Sequence, residues 1–214
     1  MHVYKALAIL LTYPEQEWLD ELPLLERAIQ DFDRIGRRVK KHVRPLFDHL
    51  ESRPLIELQE IYVDTFDRTP AHALHLYEHI HGESRDRGTA MVRLTEEYRK
   101  YGLEISAREL PDYLPMFLEF LSLIPGREAT RLLSEAIDVI ELLRSRLEKA
   151  ESPYAGPLAA LEAAAPRQPI PLTAAPRPME SLMRRFGRGA DGTEPLLTPA
   201  SQVGSLSRDP GAEG

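Results

Sequence analysis

The chain has 214 residues, a formal net charge of −7 and no cysteine. The lack of thiols excludes disulfides, iron–sulfur ligation, Cys-based zinc sites and thiol nucleophiles, and it suits a reducing compartment. The acidic balance speaks against a nucleic-acid surface, which carries a basic footprint; 43% hydrophobic and 29% charged residues read as a soluble globular protein.

In chain order, Tyr4, Leu7, Leu10 and Leu11 form a short apolar helical face ending at Pro14. The run is shorter than the roughly 20 residues of a membrane span, and no Ala-x-Ala-like cleavage site appears, so the expected address is the cytoplasm without stable membrane insertion. Trp18, Leu22, Leu25, Ile29 and Phe32 continue at helical spacing to Gly36, with Pro23 a natural first-turn residue. Val39, Val43, Leu46, Phe47 and Leu50 make a third helix in which Pro45 predicts a kink or break. Pro54 opens a fourth, with Leu55, Leu58, Ile61 and Tyr62 inward, and a polar turn, Asp67-Arg68-Thr69-Pro70, follows Phe66. A short segment runs from Ala71 to His81 and stops at Gly82. Ser84 is a candidate N-cap for a helix with the face Met91, Leu94, Tyr98 and Tyr101, closed by Gly102.

The densest apolar run is 109–124, ELPDYLPMFLEFLSLI. Leu114, Phe117, Leu118, Leu121 and Ile124 share one helical face. With Asp112 as N-cap, Pro115 falls at the third helical position, where no N–H is needed. Leu114 precedes a proline and resists the α conformation. The pattern predicts an irregular helix entrance with Asp112 and Tyr113 at the surface. After Gly126 a long helix carries Leu132, Leu133, Ala136, Val139, Ile140, Leu143 and Leu147. Strand-type alternation is nowhere sustained, so the fold class is all-α, a globular multi-helix domain.

Composition then shifts. Residues 151–214 hold ten of the eighteen prolines and seven of the twelve glycines. Ser152-Pro153-Tyr154 starts one more short helix through Leu158, Leu161 and Ala165, which sets a helical domain at 1–165 and a mostly disordered tail at 166–214. Within the tail, Met179, Leu182, Met183 and Phe186 recur at i, i+3, i+4, i+7 beside Arg184 and Arg185. This short amphipathic island suits docking on a partner, on a membrane surface or back on the domain.

Four histidines, His72, His75, His79 and His81, crowd one segment. His75-Leu76-Tyr77-Glu78-His79 matches the H-x-x-E-H pattern of a zinc hydrolase, two ligands one turn apart with a glutamate to activate water. No third ligand is designated, and a histidine-rich helix face is the simpler reading. No glycine-rich phosphate loop, no G-x-S-x-G elbow and no distinctive carboxylate pair is present. The residues therefore favour a binding protein over an enzyme.

Several blocks carry a resemblance: Tyr62-Val63-Asp64-Thr65-Phe66-Asp67; His81-Gly82-Glu83-Ser84-Arg85-Asp86-Arg87-Gly88-Thr89-Ala90-Met91; Tyr98-Arg99 and Gly102-Leu103-Glu104; and Glu109-Leu110-Pro111-Asp112-Tyr113-Leu114-Pro115 with Leu118-Glu119-Phe120. In order and spacing they resemble the nitrate reductase molybdenum cofactor assembly chaperones of the NarJ type, also called the nitrate reductase delta subunit, within the all-helical TorD/DmsD family. The resemblance covers about residues 55–125, with weaker support from Leu-Leu-x-Tyr-Pro at 10–14 and from Ser152-Pro153-Tyr154. It implies a chaperone without catalytic residues, metal or cofactor of its own. Its partner would be the apo catalytic (alpha) subunit of respiratory nitrate reductase, bound through a twin-arginine-like N-terminal peptide and held open for molybdenum cofactor insertion before membrane docking. It also allows contact with cofactor-delivery proteins, and another molybdoenzyme client is the sister reading. The implied groove takes Tyr62, Phe66, Tyr77, Leu114, Phe117 and Phe120 for apolar contact, with Asp64, Asp67, Glu83, Asp112 and Glu119 supplying charge or caps. Two departures stand out. The family usually has histidine where Tyr113 stands, and His72, His75 and His79 lie where it has aromatic and aliphatic residues.

Overall fold

In the computed structural model, residues 2–33, 35–81, 85–105, 109–166 and 168–169 are described; Ser84, Glu83 and the 179–186 island lie outside them. Ten α-helices are found among the described residues: α1 (Val3–Leu10), α2 (Gln16–Leu19), α3 (Leu22–Gln30), α4 (Arg37–Glu51), α5 (Leu55–Tyr62), α6 (Leu76–His81), α7 (Arg85–Lys100), α8 (Leu114–Leu123), α9 (Gly126–Lys149) and α10 (Ala155–Ala164). A π-helical segment, Val63–Asp67, extends α5, and a 3-10 turn, Pro70–His72, follows it. The expected all-α class holds. None of these helices is long and apolar enough to cross a membrane.

The helices share one core. α1 is buried on most of its circumference through Val3, Tyr4, Ala6, Leu7, Ala8 and Leu10, so it is an interior helix rather than an amphipathic surface one. It packs on α8 and α3; α8 packs on α9; and α10 bridges α9 and α4. The α10–α4 approach is close because Gly156 lies against the α4 backbone, where a Cβ would sit 2.2 Å from the His42 carbonyl oxygen. Arg144 on α9 ties the same region by pairing with Glu162 of α10 at 2.5 Å.

Proline positions resolve in three ways. Trp18 falls in the separate short helix α2, and Pro23 sits in the first turn of α3, as its spacing suggested. Pro45 lies inside α4, which runs through it to Glu51 without a break. Pro115 is at the second helical position of α8, with Tyr113 rather than Asp112 as the N-cap. The α7 helix ends as expected at Gly102, whose φ of 73° is the left-handed conformation glycine adopts freely.

Candidate functional site

The entrance of α8 is the structural hub, and Asp112 sits there fully buried at 0% exposure, not at the surface as its sequence context suggested. The reason is tertiary. Its Oδ2 accepts the Tyr77 N–H at 2.9 Å, so it caps the first turn of α6 from 35 residues away. The backbone repeats the link: Leu76 N–H donates to Asp112 O at 3.0 Å and Leu114 N–H to Leu74 O at 2.8 Å. These bonds frame an antiparallel bridge between His75 and Tyr113. Tyr98 of α7 joins them by donating its hydroxyl to Pro111 O at 2.7 Å. One carboxylate, two backbone bonds and one tyrosine hydroxyl thus lock α6 and α7 to the mouth of α8.

His75 completes the hub. Its Nδ1 lies 3.4 Å from Asp112 Oδ1, a charge contact without the alignment of a true hydrogen bond. Contact with Asp112 raises the His75 pKa above its ordinary value, against the opposing effect of burial. His79 behaves differently. Arg146 Nη1 donates to its Nδ1 at 2.9 Å, so Nε2 carries the proton and donates to Ala73 O at 2.7 Å. Burial lowers its pKa and keeps it neutral. His75 precedes α6, and the two imidazoles serve separate neighbours, so the zinc-hydrolase geometry expected of an H-x-x-E-H helix is not formed. Among the described residues no three His, Asp or Glu side chains converge as a metal site.

Beside the hub lies a cluster of tyrosines. Tyr113 and Tyr62 join hydroxyls at 3.2 Å, and Tyr62 donates onward to Leu11 O at 3.0 Å. Burial pushes both phenols above their usual pKa, so both stay protonated donors at neutral pH. Tyr13 stands edge-on to Tyr62, with ring centroids 5.6 Å apart. Two bonds fix its turn, from Trp18 Nε1–H to Tyr13 O at 3.0 Å and from Gln59 Nε2–H to Pro14 O at 2.8 Å. Tyr13 is 41% and Leu110 46% exposed, and Leu110 O accepts the Tyr113 N–H. The negative charges acting on Tyr113 are Glu109 and Asp67. Tyr13 and Leu110 therefore offer exposed aromatic and aliphatic surface, and Glu109 and Asp67 are exposed as well.

The π-helical segment adjoins this cluster. Arg68 N–H bonds back to Val63 O at 2.9 Å. The carbonyls that lose regular helical partners are served by neighbours: the Thr69 hydroxyl bonds Asp64 O at 2.9 Å, and His72 Nδ1 bonds Thr65 O at 3.2 Å. This turns Phe66 inward while leaving Asp64 and Asp67 in solvent.

The structure separates the candidate residues into two groups. Tyr62, Phe66, Tyr77, Leu114, Phe117 and Phe120 are all buried in the core, none more than 8% exposed. Between α6 and α9 only a cavity of about 40 Å³ remains beside Tyr77 and Phe117, little more than one water occupies. Asp64, Asp67 and Glu119 are exposed; Asp64 pairs with Arg68 at 2.6 Å and Glu119 with Lys5. Tyr13 and Leu110, both exposed, are not among the residues expected from the sequence. The Leu-Leu-x-Tyr-Pro block contained the one available signal, a tyrosine fixed before a proline.

These features define an all-helical scaffold in which the buried Asp112 joins α6 to the mouth of α8, beside a cluster of tyrosines with exposed carboxylates nearby. The nitrate reductase delta subunit family matches residues 33–160 of the chain, and the chain belongs to that family. An Escherichia coli (strain K12) relative, the nitrate reductase molybdenum cofactor assembly chaperone NarJ, is 47% identical over 47% of this chain and 42% of its own length. A second from the same organism, named a probable chaperone of the same kind, NarW, is 38% identical over 72% of the chain and 64% of its own length. The chain thus spans less than two thirds of either. A Bacillus subtilis (strain 168) NarJ relative is 34% identical over 75% of the chain and 86% of its own length. A solved Archaeoglobus fulgidus structure, described as a redox enzyme maturation protein, shares the fold at a TM-score of 0.55 and 24% identity, over 74% of this chain and 88% of that one.

Proposed function

We propose that this chain is a cytoplasmic assembly chaperone for a nitrate reductase. It binds the N-terminal segment of the apo catalytic subunit and keeps that subunit competent for molybdenum cofactor insertion before membrane docking. The relatives named as assembly chaperones support the role. The observation that carries the site is the exposed pair Tyr13 and Leu110 flanking Tyr113, with Asp67 and Glu109 beside it. Aromatic faces and carboxylates together suit a peptide that alternates apolar and basic side chains, through apolar contact, cation–π contact and charge complementarity. The bound segment is withheld from the membrane subunit until the catalytic subunit closes on its cofactor and releases the chaperone.

The test is calorimetric titration of the full chain with a peptide from the N-terminus of the nitrate reductase catalytic subunit. Tyr13→Ala and Asp67→Asn, both on exposed side chains, should each weaken binding while the fold is retained. No binding by the folded wild-type chain would overturn the reading. Tighter binding of another molybdoenzyme's peptide would keep the chaperone and change the client.

A further inference from the structure

Helix α4 carries a charge pattern that its own folding does not call for. Residues 37–44, RRVKKHVR, hold five Lys and Arg and no Asp or Glu, leaving 22 of the chain's 27 Lys and Arg against all 34 Asp and Glu. Val43, Leu46, Phe47 and Leu50 bury the inner face of the helix. Arg37, Lys40, Lys41 and Arg44 recur at i, i+3, i+4, i+7 and form a ridge on its outer side. The first turn has no carboxylate and no side-chain cap. Cations there sit at the positive end of the helix dipole, and like charges three and four residues apart repel, so the arrangement lowers helix stability. Local ion pairs serve Arg44, with Glu26 at 3.0 Å, Asp48 at 2.8 Å and Glu51 at 2.9 Å. Lys40 donates to the Gln30 carbonyl, which satisfies a hydrogen bond without cancelling the charge. Arg37 and Lys41 are exposed and have no ion-pair partner among the described residues; the preceding carboxylates, Asp31 and Asp33, are exposed and pair with neither.

We infer that this basic ridge of α4 docks on an anionic phospholipid surface, as a peripheral and reversible contact. The inference goes beyond the client reading and does not depend on it. Three observations choose the partner. The ridge consists of long, flexible cations on the outer side of a helix, which gives charge density without fixed acceptor geometry, and a layer of anionic headgroups asks for no more than that. The ridge is also short, about 10 Å from Arg37 to Arg44. A nucleic acid is tracked by a wider basic footprint, whereas the rest of this chain is acidic. Mobile anionic lipids can gather under a short ridge while the acidic remainder faces solvent. Finally, the four ridge residues include no apolar side chain, and no described helix is long and apolar enough to cross a membrane, so the contact is held by charge and not by insertion. On the client reading, it brings the loaded chaperone to the surface where its client docks. Each unpaired cation contributes about fivefold to such binding, so Arg37 and Lys41 together contribute about thirtyfold.

The test is co-sedimentation of the full chain with vesicles. It should sediment with phosphatidylcholine vesicles containing about one-third phosphatidylglycerol and not with pure phosphatidylcholine, and should be released as salt rises to about 0.5 M. Arg37→Gln with Lys41→Gln should weaken partitioning about thirtyfold. Arg127→Gln with Lys149→Gln removes the same charge from exposed positions at the two ends of α9 and should weaken it far less. The first double variant should melt no lower than wild type, because neutralisation relieves the repulsion along α4. A lower melting temperature would make these cations part of the fold and sink the inference. No sedimentation of the folded chain with anionic vesicles, equal sedimentation with neutral ones, or equal losses in the two double variants would overturn it. Binding of a duplex oligonucleotide through Arg37 and Lys41, without vesicle binding, would assign the ridge to nucleic acid and overturn the lipid partner. No client peptide is present in these measurements, so their failure leaves the client reading standing. Vesicle binding by a chain that binds no client peptide would uphold the ridge and sink the client reading.

Discussion

Asp112 accepts the Tyr77 N–H at 2.9 Å from full burial, so the carboxylate that sequence spacing assigns to the start of α8 instead caps α6. Removing it leaves a buried N–H without a partner. Asp112→Ala should therefore lower stability by about 2 kcal/mol, and Asp112→Asn, whose amide oxygen can still accept, by clearly less. Urea unfolding at constant slope measures the difference. Equal losses for the two variants would show that the cap is not what Asp112 contributes.

The misassignment shows where sequence reading stops. Helical periodicity revealed the apolar faces of α8 and α9, Gly102 marked the end of α7, and Pro23 and Pro54 marked helix starts, because each of these signals is local. Asp112 looked like a local cap because its partner is 35 residues away and no spacing rule connects them. The resemblance puts Tyr62, Phe66, Phe117 and Phe120 in a groove, and periodicity does not separate that from core, because a stripe facing a core and a stripe facing a client repeat alike. The π-helical turn at 63–67 left no compositional trace. The exposed Tyr13 was legible only as a tyrosine before a proline.

His75 should make stability depend on pH in a recognisable direction. Contact with Asp112 raises its folded-state pKa, aided by Glu78 and opposed by burial and Arg87. Its contribution is then complete below the unfolded value of about 6.5 and is lost as pH rises through the raised folded value. The stability advantage of wild type over His75→Gln should accordingly be larger at pH 5.5 than at pH 8.5. The comparison must be a difference, because His49, His79 and His81 are shifted down by burial and lose stability as pH falls. A gap that widens toward high pH would contradict the assignment.

The ends of α7 and α9 use the same closing bonds with different residues. Leu103 N–H bonds Tyr98 O at 3.2 Å and Ser152 N–H bonds Leu147 O at 2.9 Å. The left-handed position is glycine in the first, Gly102, but glutamate in the second, Glu151 at φ 53°. A side chain there costs roughly 1 kcal/mol. Glu151→Gly should raise the unfolding free energy by about that amount, less the greater freedom glycine gives the unfolded chain. A calorimetric melting temperature that falls in this variant would refute the strain argument.

Gly156 makes the opposite prediction, because its φ is not left-handed and the constraint is space. An added Cβ would meet the His42 carbonyl oxygen at 2.2 Å and Val43 Cα at 2.9 Å. Both are backbone atoms, so no side-chain rotation relieves the clash. Gly156→Ala should cost about 3 kcal/mol by driving α10 off α4. Amide exchange should rise at that interface first. Stability unchanged within error would mean the two helices separate freely.

Salt separates the charged from the apolar part of the proposed site. Attraction of a basic peptide to Asp67 and Glu109 is exposed and screened, whereas contact with the Tyr13 and Leu110 surface is not. Client affinity should fall as ionic strength rises from 0.05 to 0.5 M, and Asp67→Asn with Glu109→Gln should flatten that slope. Tyr13→Ala should weaken binding by a similar factor at every salt concentration and leave the slope intact. If the carboxylate variants keep the full salt slope, the charges that recognise the peptide lie elsewhere on this acidic surface.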